Sequence, residues 1–430
     1  MGAKKYLLVL DYLPIRINEL VSIKKYAKEK YSLEMVIISE RLSGEERKFF
    51  DYIYHLPVSN HNYQDEVLNI IQKIDMQCVC ILPFMDAVSG HAAVIAKKMG
   101  LYGDNAELSF AGVDKLRFRE QESILKEFLD AQCIAIPRYR EIISYDQLVD
   151  FFKLCPSGIV IKPTDGRANI GVKVIKNFEE LEESYRSTCQ VTANSKIIAE
   201  ELIDFDSEFS YDGVGVLSFL TQKVSQKGEY PVELGQIVPA QCSATQALAL
   251  TKAGQCINLI SGQRYGAFHN EIKLNTSTGG TFLVETNRRP AGMRIWDMAN
   301  KVYGVSLQHI WVDHLVQGYS NTRCMTPIGS AFLINLLSPK DGVISREVNI
   351  EDVKEKTISL VNESFAKLNY EIIGVKINIK ENSMVYKTPK TNNDFCGYVC
   401  VYINESDVNH QELMSSIVSA WKKMIMKYIH

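Results

Sequence analysis

The first hundred residues alternate short apolar runs with segments whose apolar positions recur at helical spacing. This order predicts strands at 6–10, 35–38 and 78–82, with helices at 16–31 and 64–75. A β-α-β-α-β order folds into a parallel sheet with helices on its faces, because each parallel connection requires a crossover. Such sheets bind ligands at the carboxyl ends of their strands, which here lie near Asp11 and residues 83–86.

The chain has 430 residues, more than one hydrophobic core normally serves, so we expect two or three domains. Asp114 is predicted to cap a helix that runs to about residue 131. The middle region then predicts strands at 159–161, 171–175, 196–200, 208–217, 265–274 and 281–287, and helices at 144–154, 178–187, 243–260, 295–303 and 306–317. A third, mixed unit predicts strands at 329–337, 370–378 and 397–402 and a final helix at 410–428.

Composition excludes several classes of protein. With 46% hydrophobic and 23% charged residues the chain is typical of globular proteins. A formal net charge of −3 at pH 7 is too small to indicate nucleic acid or an acidic membrane surface as a partner. The ten cysteines include no CxxC pair, and no run approaches the roughly 20 apolar residues of a membrane span. The run at 6–10 is too short for a signal peptide, so we expect a cytoplasmic protein.

The segment 279–292 carries the strongest chemical signal. On a strand at 281–287, Glu285 and Asn287 share one face, and Arg289 follows just beyond it. These groups make an odd core, because unpaired buried charges are costly. They suit a site for Mg²⁺, which prefers oxygen ligands and can bridge phosphate oxygens.

The preceding strand offers a second acid, Glu271. Antiparallel pairing through a turn at 275–280 places Glu271 beside Glu285. Two carboxylates so close together repel each other unless a metal ion neutralises them. Either acid alone would ordinarily be a surface carboxylate, but their combination with Asn287 and Arg289 favours a metal site.

A polar loop follows the apolar strand at 159–161. Lys162 ends that strand, and Gly166 and Gly171 lie in the loop. The backbone N–H groups of such a loop can cradle phosphate while the lysine adds a point charge. The loop lacks the GxxxxGK[ST] spacing of a P-loop, and a glycine-containing hairpin between two strands is the ordinary alternative.

The segment 197–204 is an apolar strand that ends in acidic residues, with Glu208 shortly beyond it. A strand passing from one domain to another can present backbone groups to a purine edge, and Glu208 can accept hydrogen bonds from a ribose. A strand with an exposed acidic end is the alternative.

Taken in order, these segments resemble the ATP-grasp superfamily over roughly residues 75–320. The resemblance implies an α/β (α+β) fold with an N-terminal parallel domain at 1–110 and a C-terminal mixed domain at 323–430. Between them it implies an ATP-grasp domain at 111–322, with a lid at about 143–203 that closes over ATP.

The resemblance also implies roles for the matching residues. Those implied to contact ATP are Lys115, Lys162, Gly166, Asn169, Gly171, Glu200, Glu201, Leu202, Ile203 and Glu208, with the backbone of Glu201 and Ile203 reading adenine. Glu271, Glu285 and Asn287 would bind two Mg²⁺ or Mn²⁺ ions, and Lys162 and Arg289 would be catalytic. Asn169 departs from the serine that many relatives carry in this loop.

Within the superfamily, the chain resembles the carboxylate–amine ligases that join amino acids, on its three-unit layout and the residues around Glu271 and Arg289. The implied reaction forms an acyl-phosphate that an amine then attacks. The implied partners are small carboxylate and amine substrates, and dimers are common among such proteins. Candidate substrate-binding residues are Arg289, Gly292, Arg294 and His269. Arg294 either binds a substrate carboxylate or pairs within a first helical turn, and His269 is either a satisfied strand histidine or a base.

Two other functions fit the same segments. A carboxylase or purine-type ligase would use the same ATP site with bicarbonate or formate. A regulatory protein would bind ATP without turnover, although it would have no need for Glu271, Glu285, Asn287 and Arg289 together.

Overall fold

The computed structural model describes residues 4–42, 44–166, 170–192, 196–226, 232–319, 325–405 and 408–430. The helices are α1 Ile17–Tyr31, α2 Tyr63–Lys73, α3 Asp86–Met99, α4 Lys115–Ile124, α5 Lys126–Ala131, α6 Tyr145–Lys153, α7 Leu181–Cys189, α8 Ala244–Ile260, α9 Ile295–Tyr303, α10 Leu307–Gln317, α11 Ile350–Ser364 and α12 His410–Ile425. The strands are β1 Lys5–Leu10, β2 Leu33–Ser39, β3 Tyr52–His55, β4 Gln77–Pro83, β5 Ile134–Ala135, β6 Tyr139–Ile142, β7 Ile159–Pro163, β8 Lys173–Ile175, β9 Ile197–Glu201, β10 Ser207–Val214, β11 Leu217–Ser225, β12 Glu233–Val238, β13 Ala267–Leu274, β14 Thr281–Asn287, β15 Ser330–Leu336, β16 Gly342–Val343, β17 Tyr370–Ile377, β18 Met384–Val385 and β19 Gly397–Ile403.

A parallel four-stranded sheet forms the first part of the chain, as predicted. Its strand order is β3-β2-β1-β4, and all three pairings are parallel. Both faces of β1 are buried: Leu7 and Val9 belong to one hydrophobic cluster, and Tyr6 and Leu8 to another. Burial on both faces explains why the strand is a continuous apolar run rather than an alternating one.

A small antiparallel sheet with the order β6-β9-β7-β8 lies in the middle of the chain. It has its own core, in which Leu148 of α6 and Leu181 of α7 pack against Ile161 and the other apolar strand residues. This unit corresponds to the lid predicted at 143–203, although its first strand, β6, begins before residue 143.

The third sheet has nine strands in the order β17-β19-β15-β12-β11-β10-β13-β14-β5. Its pairings are antiparallel except the short one between β14 and β5. One face packs on α8 through Tyr211, Phe268 and Ile272. Gly254 of α8 allows this close approach, since a Cβ there would lie 2.2 Å from the Tyr211 ring. The opposite face of β10, β11 and β13 carries polar side chains.

The strands of the predicted C-terminal unit do not form a sheet of their own. β15, β17 and β19 continue the sheet that β10 to β14 begin, joined by the pairing of β12 with β15. Helices α11 and α12 cover one face of them around Trp421 and Val361. The domain boundary at residues 322 and 323 therefore stays a prediction, and no break in the sheet marks it.

Two predicted elements differ from the structure, and other elements were not predicted. The helix predicted from residue 114 to residue 131 is capped by Asp114 as expected, but it is interrupted at Leu125, which separates α4 from α5. The strand predicted at 208–217 is β10 followed by a turn into β11. Strands β11 and β12 and helix α11 were not predicted. No helix of the described residues is long and apolar enough to cross a membrane.

Candidate active site

A cavity of about 2120 Å³ lies between the ends of the parallel sheet, the small sheet and the polar face of the nine-stranded sheet. Of the predicted site residues that the structure describes, all except Gly171 line this cavity. The cavity is also lined by Asp86, which lies at the strand edge where ligand binding was predicted, and by residues that the sequence did not single out, among them Arg16, Arg119 and Lys223.

The two predicted metal-binding acids lie directly opposite each other. Glu271 of β13 pairs with Glu285 of β14. His269 pairs with Asn287, two residues away on each strand. Directly opposed residues of antiparallel strands point to the same face. The expectation that Glu271 and Glu285 share a face is confirmed, and Asn287 lies on that face as well.

The structure corrects the expectation that only a metal ion could hold these acids together. Lys223 Nζ lies 2.8 Å from Glu271, and Lys115 Nζ lies 3.2 Å from Glu285. The protein's own ammonium groups therefore neutralise the pair. Within the described ranges, no group of three or more His, Cys, Asp or Glu side chains is arranged to hold a metal ion. A metal ion here would rest on the two glutamates and the amide oxygen of Asn287.

Lys223 is a buried cation at the centre of this face. It contacts Glu233 at 2.5 Å and Glu271 at 2.8 Å. Burial alone would lower the pKa of Lys223, but the carboxylates of Glu233, Glu271 and Glu208 outweigh burial and raise it. Lys223 in turn holds the pKa of Glu271 well below its ordinary value, against the effect of burial. Glu271 is therefore an anion at neutral pH.

His269 is held at both ring nitrogens. Nδ1 lies 2.6 Å from Asp212, and Nε2 lies 3.4 Å from Glu271. The other oxygen of Asp212 accepts hydrogen bonds from the hydroxyls of Ser210 and Thr221. Burial opposes the charged ring, but Asp212 and Glu271 overcome it and raise the pKa of His269 to about 9. Of the two sequence-based interpretations, this geometry favours the satisfied strand histidine, because a ring that stays protonated is a poor base at neutral pH.

Of the two predicted phosphate-binding lysines, Lys115 lies on α4 and Lys162 lies on β7 of the small sheet. Lys115 begins α4, where its Nζ also donates to the carbonyl of Gly166 at 2.5 Å. Lys162 ends β7 and contacts Glu200 at 2.8 Å. Burial lowers the pKa of Lys162, although Glu200 partly offsets this effect.

The side chain of Glu200 has a structural partner that the sequence did not reveal. Arg119 of α4 contacts Glu200 at 2.9 Å and Glu122 at 2.6 Å, and it donates to the carbonyl of Leu283 at 2.9 Å. Burial would raise the pKa of Glu200, but Arg119 and then Lys162 lower it to about 2. Arg119 thereby connects the small sheet to α4 and β14.

The hinge after β9 presents backbone groups to the cavity. The Glu201 N–H donates to the Arg138 carbonyl, and the Leu202 N–H donates to the Gly158 carbonyl. The N–H of Ile203 has no hydrogen-bond partner within the described part of the chain. The Glu201 N–H is therefore engaged within the protein, and the reading of adenine by the Glu201 and Ile203 backbone stays a prediction. Glu208 accepts a hydrogen bond from Ser225 and lies 3.5 Å from Lys273.

The glycine loop agrees with the prediction only in part. Gly166 lines the cavity, whereas Gly171 faces α7, where its carbonyl accepts a hydrogen bond from Thr188 at 2.9 Å. Gly171 has a φ of +75°, and a Cβ there would lie 2.5 Å from Val191, so packing explains this glycine. Its position does not support the predicted contact with ATP. Asn169 lies outside the described residues.

Arg289 is positioned by Asp86, the first residue of α3. One carboxylate oxygen of Asp86 accepts Arg289 Nε at 2.7 Å, and the other accepts the Arg288 N–H at 2.9 Å. Arg289 also approaches the amide oxygen of Asn287 at 3.4 Å. The guanidinium therefore lies beside the proposed metal ligands at the edge of the parallel sheet.

The segment after Arg289 turns sharply into α9. Met293 and Arg294 have φ values of +48° and +57°, and Gly292 lines the cavity. Arg294 Nε contacts Asp297 at 2.7 Å, which is the helical pairing considered from the sequence. Arg294 also lines the cavity, so substrate binding stays a prediction beside that pairing.

The sequence did not identify Arg119 and Lys223 as site residues, and it gave Asp86 no role of its own. Asp86 had a signal, since it follows β4 at the predicted ligand-binding edge. Lys223 lies on β11, whose sequence LSFLTQKVS mixes polar and apolar residues on both faces and so gives no clear alternating pattern. Arg119 lies in a polar helix whose buried face has no clear apolar pattern.

Residues 155–297 match the family model of the ATP-grasp domain. This segment of the chain is an ATP-grasp domain. The match covers β7 to β14 and the start of α9, and so includes most of the cavity-lining residues described above.

Curated proteins similar to this chain include alanine–anticapsin ligase from Bacillus amyloliquefaciens, 23% identical over 319 residues. That alignment covers 67% of this chain and 66% of the relative, slightly less than two thirds of its length. A second relative is formate-dependent phosphoribosylglycinamide formyltransferase from Aliivibrio fischeri, 24% identical over 254 residues, or 57% of this chain and 61% of the relative.

Solved structures show the same fold at low sequence identity. L-amino acid ligase from Bacillus licheniformis has a TM-score of 0.72 at 17% identity, covering 100% of this chain and 99% of that one. An ADP complex of N5-carboxyaminoimidazole ribonucleotide synthetase has a TM-score of 0.65 at 11% identity, covering 99% and 98%. The predicted ATP-grasp fold is confirmed.

Proposed function

We propose that this chain is an ADP-forming ligase that activates a carboxylate with ATP and joins it to an amine, with amino acids as its substrates. The observation that carries the proposal is the cross-strand pair Glu271 and Glu285, with Asn287 on the same face and Arg289 just beyond. The names of two similar proteins, alanine–anticapsin ligase and L-amino acid ligase, support amino acids as the substrate class.

The cavity has the groups that ATP requires. Lys115 and Lys162 provide cations for the phosphates, and the Ile203 N–H provides a donor for the adenine ring. In the present arrangement the two lysines contact Glu285 and Glu200. Phosphate oxygens would compete with these carboxylates for the lysines, since charge-assisted hydrogen bonds to phosphate are among the strongest in proteins.

The acidic pair fits Mg²⁺ or Mn²⁺. Both ions prefer oxygen ligands, which Glu271, Glu285 and Asn287 supply on one face. Such ions, when bound, neutralise the charge on the phosphate oxygens during phosphoryl transfer. Glu285 is 29% exposed, and its partner Lys115 is not fully buried either, so this carboxylate is accessible to an ion.

The proposed reaction has two steps. A carboxylate oxygen of the first substrate attacks the γ-phosphorus of ATP, the bond to the ADP oxygen breaks, and an acyl-phosphate forms. The amine nitrogen of the second substrate then attacks the carbonyl carbon, the bond to the phosphate oxygen breaks, and an amide, phosphate and a proton result. Arg289, oriented by Asp86, lies where it can stabilise the charge on the transferring phosphoryl group.

The small sheet would act as a lid in this reaction. It carries Lys162, and it is connected to the body of the protein through Arg119 and Lys115. Closure over ATP would exclude the water that otherwise hydrolyses an acyl-phosphate.

A matrix of amino-acid pairs tests the proposal. The purified chain is incubated with ATP, Mg²⁺ and each pair, ADP release is measured, and mass spectrometry detects the ligated product. The proposal requires at least one pair that gives ADP and product in equal amounts. Nucleotide binding without ADP release for any pair would instead favour a non-catalytic ATP-binding protein.

A second candidate is a ligase that activates bicarbonate or formate. The similarity to the formate-dependent formyltransferase and to the carboxyaminoimidazole synthetases favours it. ADP release that depends on bicarbonate or formate, and not on an amino-acid carboxylate, would identify it.

A further inference from the structure

Arg16 has no role in the function proposed above, yet it lines the same cavity. It precedes α1 in the loop that leaves the carboxyl end of β1, and its side chain is only 13% exposed. A buried arginine on the wall of a substrate cavity requires an explanation, because arginine is rarely buried without partners.

The guanidinium of Arg16 is hydrogen-bonded through one terminal nitrogen, Nη2, and lacks a partner in the described residues at the other, Nη1. Nη2 donates to the carbonyls of Pro290 and Ala291 at 3.1 Å and 2.6 Å, directly after Arg289. Nε lies 3.7 Å from Glu19, a weak contact. Nη1 is buried and has no hydrogen-bond partner in the described portion of the chain.

The two nearby arginines are each paired with an aspartate, whereas Arg16 keeps one terminal nitrogen, Nη1, without a partner in the described residues. Arg289 is paired with Asp86, and Arg294 with Asp297, each at 2.7 Å. Glu19 is shared between Arg16 and the amide of Gln308, and burial raises the pKa of Glu19, which weakens it as a counterion. Burial lowers the pKa of Arg16, an effect that Glu19 opposes and nearby Arg289 reinforces. A ligand oxyanion would satisfy the unmade hydrogen bond and add to the partial compensation that Glu19 provides.

We propose that Arg16 binds a substrate carboxylate that the reaction does not consume. This inference rests on the proposed ligase function and narrows its substrate class. The carboxylate has two sources: the α-carboxylate of an amino-acid acceptor, or a second carboxylate on the donor. Both offer planar oxygens that match the Nη1 edge of a guanidinium whose Nη2 is already held by the backbone.

The surroundings of the Arg16 guanidinium fit this assignment. Arg16 contacts the backbone of the two residues that follow Arg289, so an anion at Nη1 lies close to the proposed site of phosphoryl transfer. Pro290 and Ala291 hold the guanidinium in place without neutralising it, because carbonyl oxygens carry no net charge. The ligand therefore meets a preorganised cation, which reduces the entropy lost on binding.

Equilibrium binding in the presence of Mg²⁺ and a non-hydrolysable ATP analogue tests the inference. Calorimetry compares L-alanine with L-alaninamide for the acceptor source, and L-aspartate with L-asparagine for the donor source. We expect the acid of one pair to bind on the order of tenfold more tightly than its amide, because a charge-assisted hydrogen bond is lost in the amide. Arg16→Gln should abolish this acid-over-amide ratio and leave the affinity for the ATP analogue unchanged.

Arg41→Gln is the matched control. Arg41 also lines the cavity from the parallel domain, but its guanidinium is engaged by Asp11 at 3.1 Å and Glu40 at 2.9 Å. This variant should keep the wild-type ratio. If Arg16→Gln does not fold, Arg16→Lys, which keeps the charge but loses the planar pair of donors, should lower the ratio about threefold.

Two outcomes overturn the inference: wild-type protein that binds acid and amide equally in both pairs, or a ratio that persists in the Arg16 variants. Because binding is measured without turnover, its result is separate from that of the ADP-release matrix. If the protein prefers the acid to the amide through Arg16 but releases no ADP with any substrate pair, the anion site is supported and the proposed ligase function is not.

Discussion

Glu271 and Glu285 lie directly opposite each other on antiparallel strands, and each is neutralised by a lysine, Lys223 for Glu271 and Lys115 for Glu285. The acidic pair is therefore stable in the protein without an added ion. Of the two lysines, Lys223 is buried in the sheet beside Glu271, whereas Lys115 lies in the predicted phosphate site. This asymmetry indicates that ATP would draw Lys115 away from Glu285 and expose that carboxylate to a metal ion.

The first prediction concerns this pair. Glu285→Gln should lower ADP release by on the order of 10²–10³, because it removes a carboxylate ligand of the ion that would neutralise the phosphate oxygens. Glu371→Gln, which removes an exposed carboxylate paired only with Lys301 at the surface, is the control and should keep full activity. Steady-state ADP release measures both. Full activity in Glu285→Gln would contradict the assignment of Glu285 as a metal ligand.

The second prediction concerns Asp86, which orients Arg289. Asp86→Asn keeps an oxygen for the Arg288 N–H but loses the charge that holds Arg289 Nε at 2.7 Å. We expect kcat to fall roughly tenfold or more, since misplaced charges lose transition-state stabilisation, while the KM for ATP changes little. A rise in KM for ATP with kcat intact would show that Asp86 acts on nucleotide binding instead. Asp65→Asn, an exposed aspartate 3.6 Å from Lys98, controls for the loss of a carboxylate.

The relation between sequence and structure differs between these two cases. The pairing of Glu271 with Glu285 was predictable, because a short turn joins their strands and fixes the register. Lys223 is 48 residues from Glu271, and Asp86 is 203 residues from Arg289. Which strands and helices become neighbours over such separations depends on packing of the whole chain, so the counterions of the site could not be derived from local patterns.

The sheets show the same limit. The parallel sheet was predicted because strands and helices alternate with buried, continuous apolar runs. The continuation of the central sheet into β15, β17 and β19 was not, because it depends on the pairing of β12 with β15, which are joined by a long stretch of chain. The hinge backbone and the lid could be expected only from the resemblance to the ATP-grasp superfamily.

The third prediction concerns Gly112, which packs against a buried arginine. A Cβ at Gly112 would lie 2.4 Å from Arg288 Cγ. Arg288 is itself 1% exposed and contacts Asp104 at 2.5 Å, so it cannot easily move away. Gly112→Ala should lower the free energy of unfolding by about 1–3 kcal/mol, as overpacked cores do. Gly292→Ala, where no atom lies within 4 Å of the added Cβ, should change it little, and urea denaturation measures both.

The fourth prediction concerns acid stability. The pKa of Glu200 is lowered from 4.5 to about 2, because Arg119 and Lys162 outweigh the effect of burial. A carboxylate with a lowered pKa in the folded state contributes stability that is present above pH 4.5 and is lost as the pH falls toward 2. Glu200→Gln should therefore show a shallower fall of unfolding free energy than the wild type between pH 4.5 and pH 2. Urea unfolding across this range measures the two slopes.

Glu180→Gln is the control for that experiment. Hydrogen bonds from Asn177 and Lys176 also lower the pKa of Glu180, but this carboxylate is fully exposed, where water screens its interactions. Its removal should change the slope less than the removal of Glu200 does. Equal slopes for wild-type protein and Glu200→Gln would contradict the proposed role of the Arg119–Glu200 pair in stability.

The fifth prediction concerns the lid. The small sheet has its own hydrophobic core, and it contacts the body of the protein through polar groups such as Glu200 and the carbonyl of Gly166. ATP with Mg²⁺ should bind on both sides of this junction and slow hydrogen exchange between residues 143 and 203. The Ile203 amide, which has no partner within the described residues, should gain the most protection, because adenine would accept its hydrogen bond. Mass spectrometry of exchanged peptides measures this, with α2 as an internal reference, because none of its residues lines the cavity. If the exchange of 143–203 is the same with and without nucleotide, the small sheet is not a lid.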